Sequence, residues 1–272
     1  TLFCSAIFLP LILLSQDTRV LDGSIFHVGS GGWEMHRWIL LKSMIVLLSW
    51  VFGYFAIAHL PLTIVGPVNA TRPVMTLVGA MAVFGERLNG WQWAGVVLAV
   101  VSLFLLARSG RKEGIDFSHN KWICFLVLAA LTGTCSGLLD KYLMASPENG
   151  GVGLDRMMAQ SWYNIYQCLM MAAVFIIYKV RRHGSKAVHT PFKWKWSVLL
   201  ISLFLSMADF AYFYALSMPG AMISIVSMVR RGSVIVSFLC GALLFREKNL
   251  KAKAIDLCFV LLGMICLWIG SY

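Results

Sequence analysis

The sequence predicts an all-α integral membrane protein, and three observations carry that expectation. The composition is too apolar for a water-soluble domain, apolar stretches of membrane-crossing length recur along the chain, and basic residues stand deep inside two of them. Of the 272 residues 59% are hydrophobic and 13% charged, and the mean hydropathy is +0.78. A soluble core of this length would leave much of that apolar surface wet. A stretch of about 20 apolar residues crosses ~30 Å of hydrocarbon as a helix. Helix is the expected form because lipid offers no partner to a free backbone amide, and the period-two alternation of an outer-membrane barrel is absent.

The spacing predicts nine crossings, at 1–16, 39–60, 62–85, 91–108, 122–144, 158–179, 194–217, 220–245 and 252–271. The first begins at Thr1 without an initiator Met and shows neither a basic leader region nor a small-residue cleavage site. It therefore reads as a spanning helix rather than a signal peptide, with one further crossing expected upstream. The second carries Trp50 and Gly53-Tyr54-Phe55, and the third carries Asn69, Arg72 and Pro73. The fourth follows Gly85-Glu86-Arg87. The seventh carries Asp209 and Tyr212, and the eighth carries Arg230-Arg231. Connections such as His59 to Thr63 leave no room for a soluble catalytic domain. The seven cysteines (Cys4, Cys124, Cys135, Cys168, Cys240, Cys258, Cys266) fall inside apolar segments without metal-ligand spacing, so they read as buried small hydrophobes, with no metal and no cofactor expected.

An internal repeat organises these segments. Gly53-Tyr54-Phe55, Pro61 and Arg72 find counterparts 158 residues later in Ala211-Tyr212-Phe213, Pro219 and Arg230. Beyond that point the offset is 161, pairing Gly85-Glu86-Arg87 with Arg246-Glu247-Lys248. The second half holds five crossings and the first four. Repeats with an odd number of crossings enter the membrane in opposite orientation, the construction of many secondary transporters.

At this point the sequence resembles a known family. Ala58, Pro73, Phe84-Gly85-Glu86 and Trp91-Gln92-Trp93-Ala94-Gly95 are similar to the end of an EamA-type repeat of the drug/metabolite transporter superfamily, and a second copy runs from Ala221 to Glu247 and from Ile255 to Ile269. The resemblance implies ten helices in two inverted five-helix repeats, of which about nine are present here. Residues 1–115 would be the first EamA-like repeat, lacking its first helix, and 120–272 the second. The copies diverge where Asp256 stands for Gly95 and Arg231 for Pro73. A shorter stretch, Arg230-Arg231 followed by Ser233-Val234-Ile235-Val236-Ser237, resembles the ninth helix of plastid sugar-phosphate/phosphate translocators, where a Lys-Arg pair binds substrate phosphate. Arg72 would then correspond to the basic residue of their fourth helix, and Lys141 to a lysine near the end of their sixth.

Charge adds topology and chemistry. Of 23 Lys and Arg, 14 gather in the loops around 108–121, 179–195 and 246–253, which the positive-inside rule makes cytoplasmic, with Tyr272 outside. Six, among them Lys42, are assigned to the opposite side, and Arg72, Arg230 and Arg231 lie within the bilayer. The net charge of +11 is read as attraction to anionic headgroups, not as nucleic-acid binding. Tryptophans 33, 38, 91, 93, 122, 194 and 196 read as an interfacial belt.

A basic side chain at the bilayer centre costs roughly 2.5–3.5 kcal/mol on insertion scales, so the three arginines should face protein or water. The candidate binding residues are therefore Arg230, Arg231, Arg72, Asp209, Tyr54, Tyr212, Asn69 and Trp50. The arginines suit phosphate or carboxylate, Asp209 neutralises one of them or carries a proton, Asn69 and Pro73 loosen the helix of Arg72, and the aromatic rings line a cavity. A buried structural ion pair is the competing reading of the charges.

The function expected is secondary-active transport of a small metabolite, an organic anion being the candidate class, by alternating access, with a coupling ion or exchanged solute as further partner. Localisation is multi-pass membrane, the plasma (inner) membrane if the protein is bacterial. The alternatives are an intramembrane enzyme acting on lipid or isoprenoid phosphates, an exporter of amino acids or cationic drugs, and a channel. No HExxH, GxSxG or P-loop pattern supports an enzyme.

Overall fold

The computed structural model describes residues 1–17, 19–60, 65, 68–69, 72–85, 89–111, 120–181, 194–218, 221, 223, 226, 229–230 and 250–270. Their regular elements are helical. In chain order they are α1 (Leu2–Asp17), a 3-10 turn (Arg19–Leu21), α2 (Trp33–His59), α3 (Arg72–Phe84), α4 (Gly90–Arg111) and α5 (Lys121–Met144). A second 3-10 turn (Pro147–Asn149), α6 (Arg156–Arg181), α7 (Trp196–Leu216) and α8 (Leu250–Ile269) complete the order. By length and composition α2, α5 and α7 are each able to cross a bilayer. Eight of the nine expected crossings meet a helix here, and most of the ninth, at 220–245, lies outside the described residues.

One boundary differs in a way that matters. The second crossing is expected from residue 39, but α2 starts at Trp33. Gly31-Gly32 ends the preceding extended stretch, and the Met35 amide donates to the Gly32 carbonyl at 3.0 Å, opening the helix there. Lys42 lies well inside this helix and is 3% exposed. The sequence reading that counted Lys42 with the charges on one side of the membrane, although the expected crossing already contained it, is thereby corrected.

The chain divides into two compact units, each drawing helices from both halves of the sequence: Thr1–Leu47 with Asp140–Met218, and Leu48–Leu139 with Pro219–Tyr272. In the first, α1 packs against α6 and α7. Cys4, Phe8 and Ile12, one helical turn apart, are its buried face. Ser5 Oγ donates to the Asn164 carbonyl at 2.8 Å, and Cys4 Sγ lies 3.7 Å from that of Ser202. Asp155 caps α6: its carboxylate accepts the Met158 amide at 2.8 Å and the Gly29 amide at 3.3 Å, satisfying donors a helix start leaves open. The α5–α6 connection is tight, with Gly150 and Gly153 at φ 75° and 67°, a backbone region that favours glycine.

In the second unit α4 and α8 pack along their lengths. Asn89 and Gln92 form a reciprocal capping box at 3.0 Å in each direction, and Asn89 Nδ2 donates to the Gly270 carbonyl at 2.5 Å. A core of Ala56, Leu60, Val65, Ile123 and Leu126 is flanked by the His59 ring, stacked on Trp122 at 3.6 Å.

Cysteine burial departs from expectation as well. Cys4 is buried, Cys168 and Cys266 are half-buried, but Cys124, Cys135 and Cys258 are exposed. On a helix solvated by acyl chains an apolar side chain loses nothing by facing outward, so apolar sequence context does not specify burial. Cys240 lies outside the described residues.

Candidate functional site

Two polar constellations stand inside the apolar helices, one in each unit. In the first unit Lys42 of α2 is ion-paired through Nζ with Asp140 Oδ1 of α5, both side chains being nearly inaccessible. The other carboxylate oxygen, Oδ2, accepts the Tyr212 hydroxyl of α7 at 3.3 Å. The ammonium also lies 4.3 Å from the Phe213 ring centre and 4.9 Å from that of Tyr163 of α6. Four helices thus meet around one salt bridge, and the aromatic faces replace water around the lysine.

Beside this pair runs a polar seam. Gln160, Ser161 and Gln167 of α6 and Ser206 of α7 are buried, and Gln160 Nε2 donates to the Ser206 carbonyl at 3.0 Å. Gln160 Oε1, Ser161 Oγ, Ser206 Oγ and both amide atoms of Gln167 find no partner among the described residues. Gln160, Tyr163 and Gln167 follow the spacing of one helical face, so the amides flank the ring that holds Lys42. Ser206 shares a face of α7 with Phe213 by the same spacing.

In the second unit Arg72 opens α3. Its Nη2 donates to the Ala129 carbonyl of α5 at 3.0 Å, an oxygen that Ser49 Oγ reaches at 2.8 Å and Thr132 Oγ1 at 3.3 Å. One carbonyl with two lone pairs serves three side-chain donors, so the anchor of Arg72 is shared. Its Nε is buried without a partner among the described residues, and so is Oδ1 of Asn69, one turn earlier. The guanidinium lies flat on α5 because residue 133 is glycine: a Cβ there would come 2.7 Å from Nη1. Arg230, exposed in its helix, acts on Arg72 by like-charge repulsion.

The residues expected from sequence are distributed as follows. Arg72, Asn69 and Arg230 belong to the second unit, as do Trp50 and Tyr54, which are 42% and 72% exposed. Tyr212 is buried in the first unit against Asp140, and Asp209, partly exposed, lies one turn earlier on α7. Arg231 lies outside the described residues. Sequence reasoning left Lys42 and Asp140 out of the candidate site. The available signal was an aspartate followed by lysine four residues before the end of an apolar run, and a lysine inside a continuous helix from Trp33.

Apolar helices of crossing length with ionisable groups between them are the mark of an integral membrane protein. Residues 1–108 match the model of the EamA-like transporter family. They take in α1, α2, α3 and all but the end of α4, and the match agrees with the drug/metabolite-transporter resemblance. Proteins of that family are membrane transporters of small molecules rather than enzymes. A comparison with curated proteins finds no match for the chain.

Proposed function

We propose that the protein is a multi-pass secondary-active transporter of a small metabolite bearing a phosphate or carboxylate, working by alternating access. The observation that carries the reading is Arg72. A guanidinium within an apolar segment, held among the described residues by one shared carbonyl and repelled by Arg230, keeps donor capacity that an anion would take up. Asn69, one turn away, offers an acceptor for a hydroxyl of the same solute. Arg230 and Arg231 supply the second basic contact. A purely structural arginine would have its donors matched by carboxylates or carbonyls, whereas Nε of Arg72 has none among the described residues.

The test begins with a thermal-shift screen of phosphorylated, carboxylated, amino-acid and cationic metabolites on detergent-purified protein. A ligand at a hundred times its Kd stabilises the folded state by about 2.7 kcal/mol. Hits are then followed as labelled solutes in sealed proteoliposomes. Replacing Arg230 and Arg231 by Gln, or Arg72 by Gln, abolishes uptake while the protein stays folded and monodisperse. Uptake at wild-type rates by all these variants refutes the assignment, and a chemically altered solute would point to an enzyme.

A further inference from the structure

We propose that Asp140 is the proton-binding site of this transporter, with Lys42 as its ion-pair partner when charged and Tyr212 as its hydrogen-bond partner in either protonation state. The inference rests on the transport reading and adds the coupling ion. Groups facing the carboxylate are Lys42 from α2 and Tyr212 from α7. Those facing the ammonium are Asp140 from α5, Tyr163 from α6 and Phe213 from α7.

A static buried salt bridge fails when either partner loses its charge, because the other is left unpaired. Here each half has a second partner of its own. If Asp140 takes a proton, the ammonium keeps the Phe213 and Tyr163 faces at 4.3 and 4.9 Å. The neutral carboxyl keeps the Tyr212 hydroxyl, which donates to a carboxylate and accepts equally well from a carboxylic O–H. The step forms one O–H bond on Asp140 and breaks the contact to Lys42 Nζ, which remains an ammonium. The site therefore gains one positive charge, and the release step reverses it.

A proton also needs a way in. The atoms of Gln160, Ser161, Gln167 and Ser206 that have no partner among the described residues are buried polar groups within two turns of the rings around Lys42 on the same helices. Groups of this kind are satisfied by ordered water, and a file of such waters along α6 and α7 would carry the proton to Asp140.

The experiment is infrared difference spectroscopy of the purified full chain as the medium is acidified. Wild type develops a protonated-carboxyl band that shifts in heavy water. Asp140→Asn loses it, and Tyr212→Phe moves its frequency, since that hydroxyl is its hydrogen-bond partner. The double variant Lys42→Met with Asp140→Asn, which removes both charges together, keeps the fold and lacks the band, covering the case in which the single variant does not fold. Absence of any such band in folded wild type, or its survival in both Asp140 variants, overturns the proposal. The band reads the carboxylate whether or not a solute is carried. A band without solute exchange thus overturns the transport reading alone, and exchange without a band overturns the proton site alone.

Discussion

Removing Lys42 should cost more than removing Asp140, and removing both should cost least. Lys42→Met strands a carboxylate that is 4% exposed, retaining among the described residues the Tyr212 hydroxyl at 3.3 Å. Breaking a buried pair from one side typically costs about 3–5 kcal/mol. Asp140→Asn strands the ammonium instead, but the Phe213 and Tyr163 faces remain. A desolvated cation–π contact is worth about 2 kcal/mol, so this variant should lose about 1–3 kcal/mol. The double variant replaces the pair by neutral groups of similar volume and should fall within about 1–2 kcal/mol of wild type, giving a coupling energy of about 4–5 kcal/mol. The assay is reversible unfolding by a denaturing detergent followed through tryptophan fluorescence, at alkaline pH so that the stranded carboxylate stays charged. Additive single losses, or an Asp140 variant less stable than the Lys42 variant, would refute both the pairing and the part given to the aromatic faces.

Other substitutions test the remaining geometry. Gly133→Ala puts a methyl 2.7 Å from Arg72 Nη1, the far end of a flexible side chain, so stability should change by less than about 1 kcal/mol while the thermal shift given by an anionic ligand changes. An unaltered ligand response would remove Gly133 from the site. Gly151→Ala sets a methyl 2.2 Å from the Ala145 carbonyl oxygen and should destabilise by about 1–3 kcal/mol, whereas Gly32→Ala, with open space around it, should be near neutral in the same unfolding assay. Gln92→Leu removes one arm of the capping box and should cost about 1 kcal/mol, with faster amide exchange at the start of α4 as the local readout.

The helical elements were legible because hydropathy and length are properties of the chain itself: α1, α5, α6, α7 and α8 begin and end within two residues of their expected limits. The start of α2 was not, because Trp33, Glu34, Arg37 and Trp38 lower the local hydropathy although the backbone is already helical. Arg72 was visible as a charge in an apolar run. What it touches was not, since the Ala129 carbonyl and the bare α-carbon of Gly133 carry no polar side-chain signature. Lys42 and Asp140 lie 98 residues apart in the chain, and nothing local to either announces the other. Tyr212 reads from sequence as a cavity-lining ring, and its hydroxyl bond to Asp140, 72 residues away in the chain, has no local signal.

The length of α2 has a mechanical implication. Its 27 residues make a rod about 40 Å long, against ~30 Å for the hydrocarbon layer, while the 21 residues of α7 span about 31 Å. Upright, α2 would push about 10 Å of itself, including Trp33, Glu34 and Arg37, among the lipid headgroups. In a thinner bilayer it must lean, and Lys42, about 14 Å along the rod from Trp33, leans with it. Reconstitution into lipids of graded acyl length would therefore turn membrane thickness into a dial acting on this one helix.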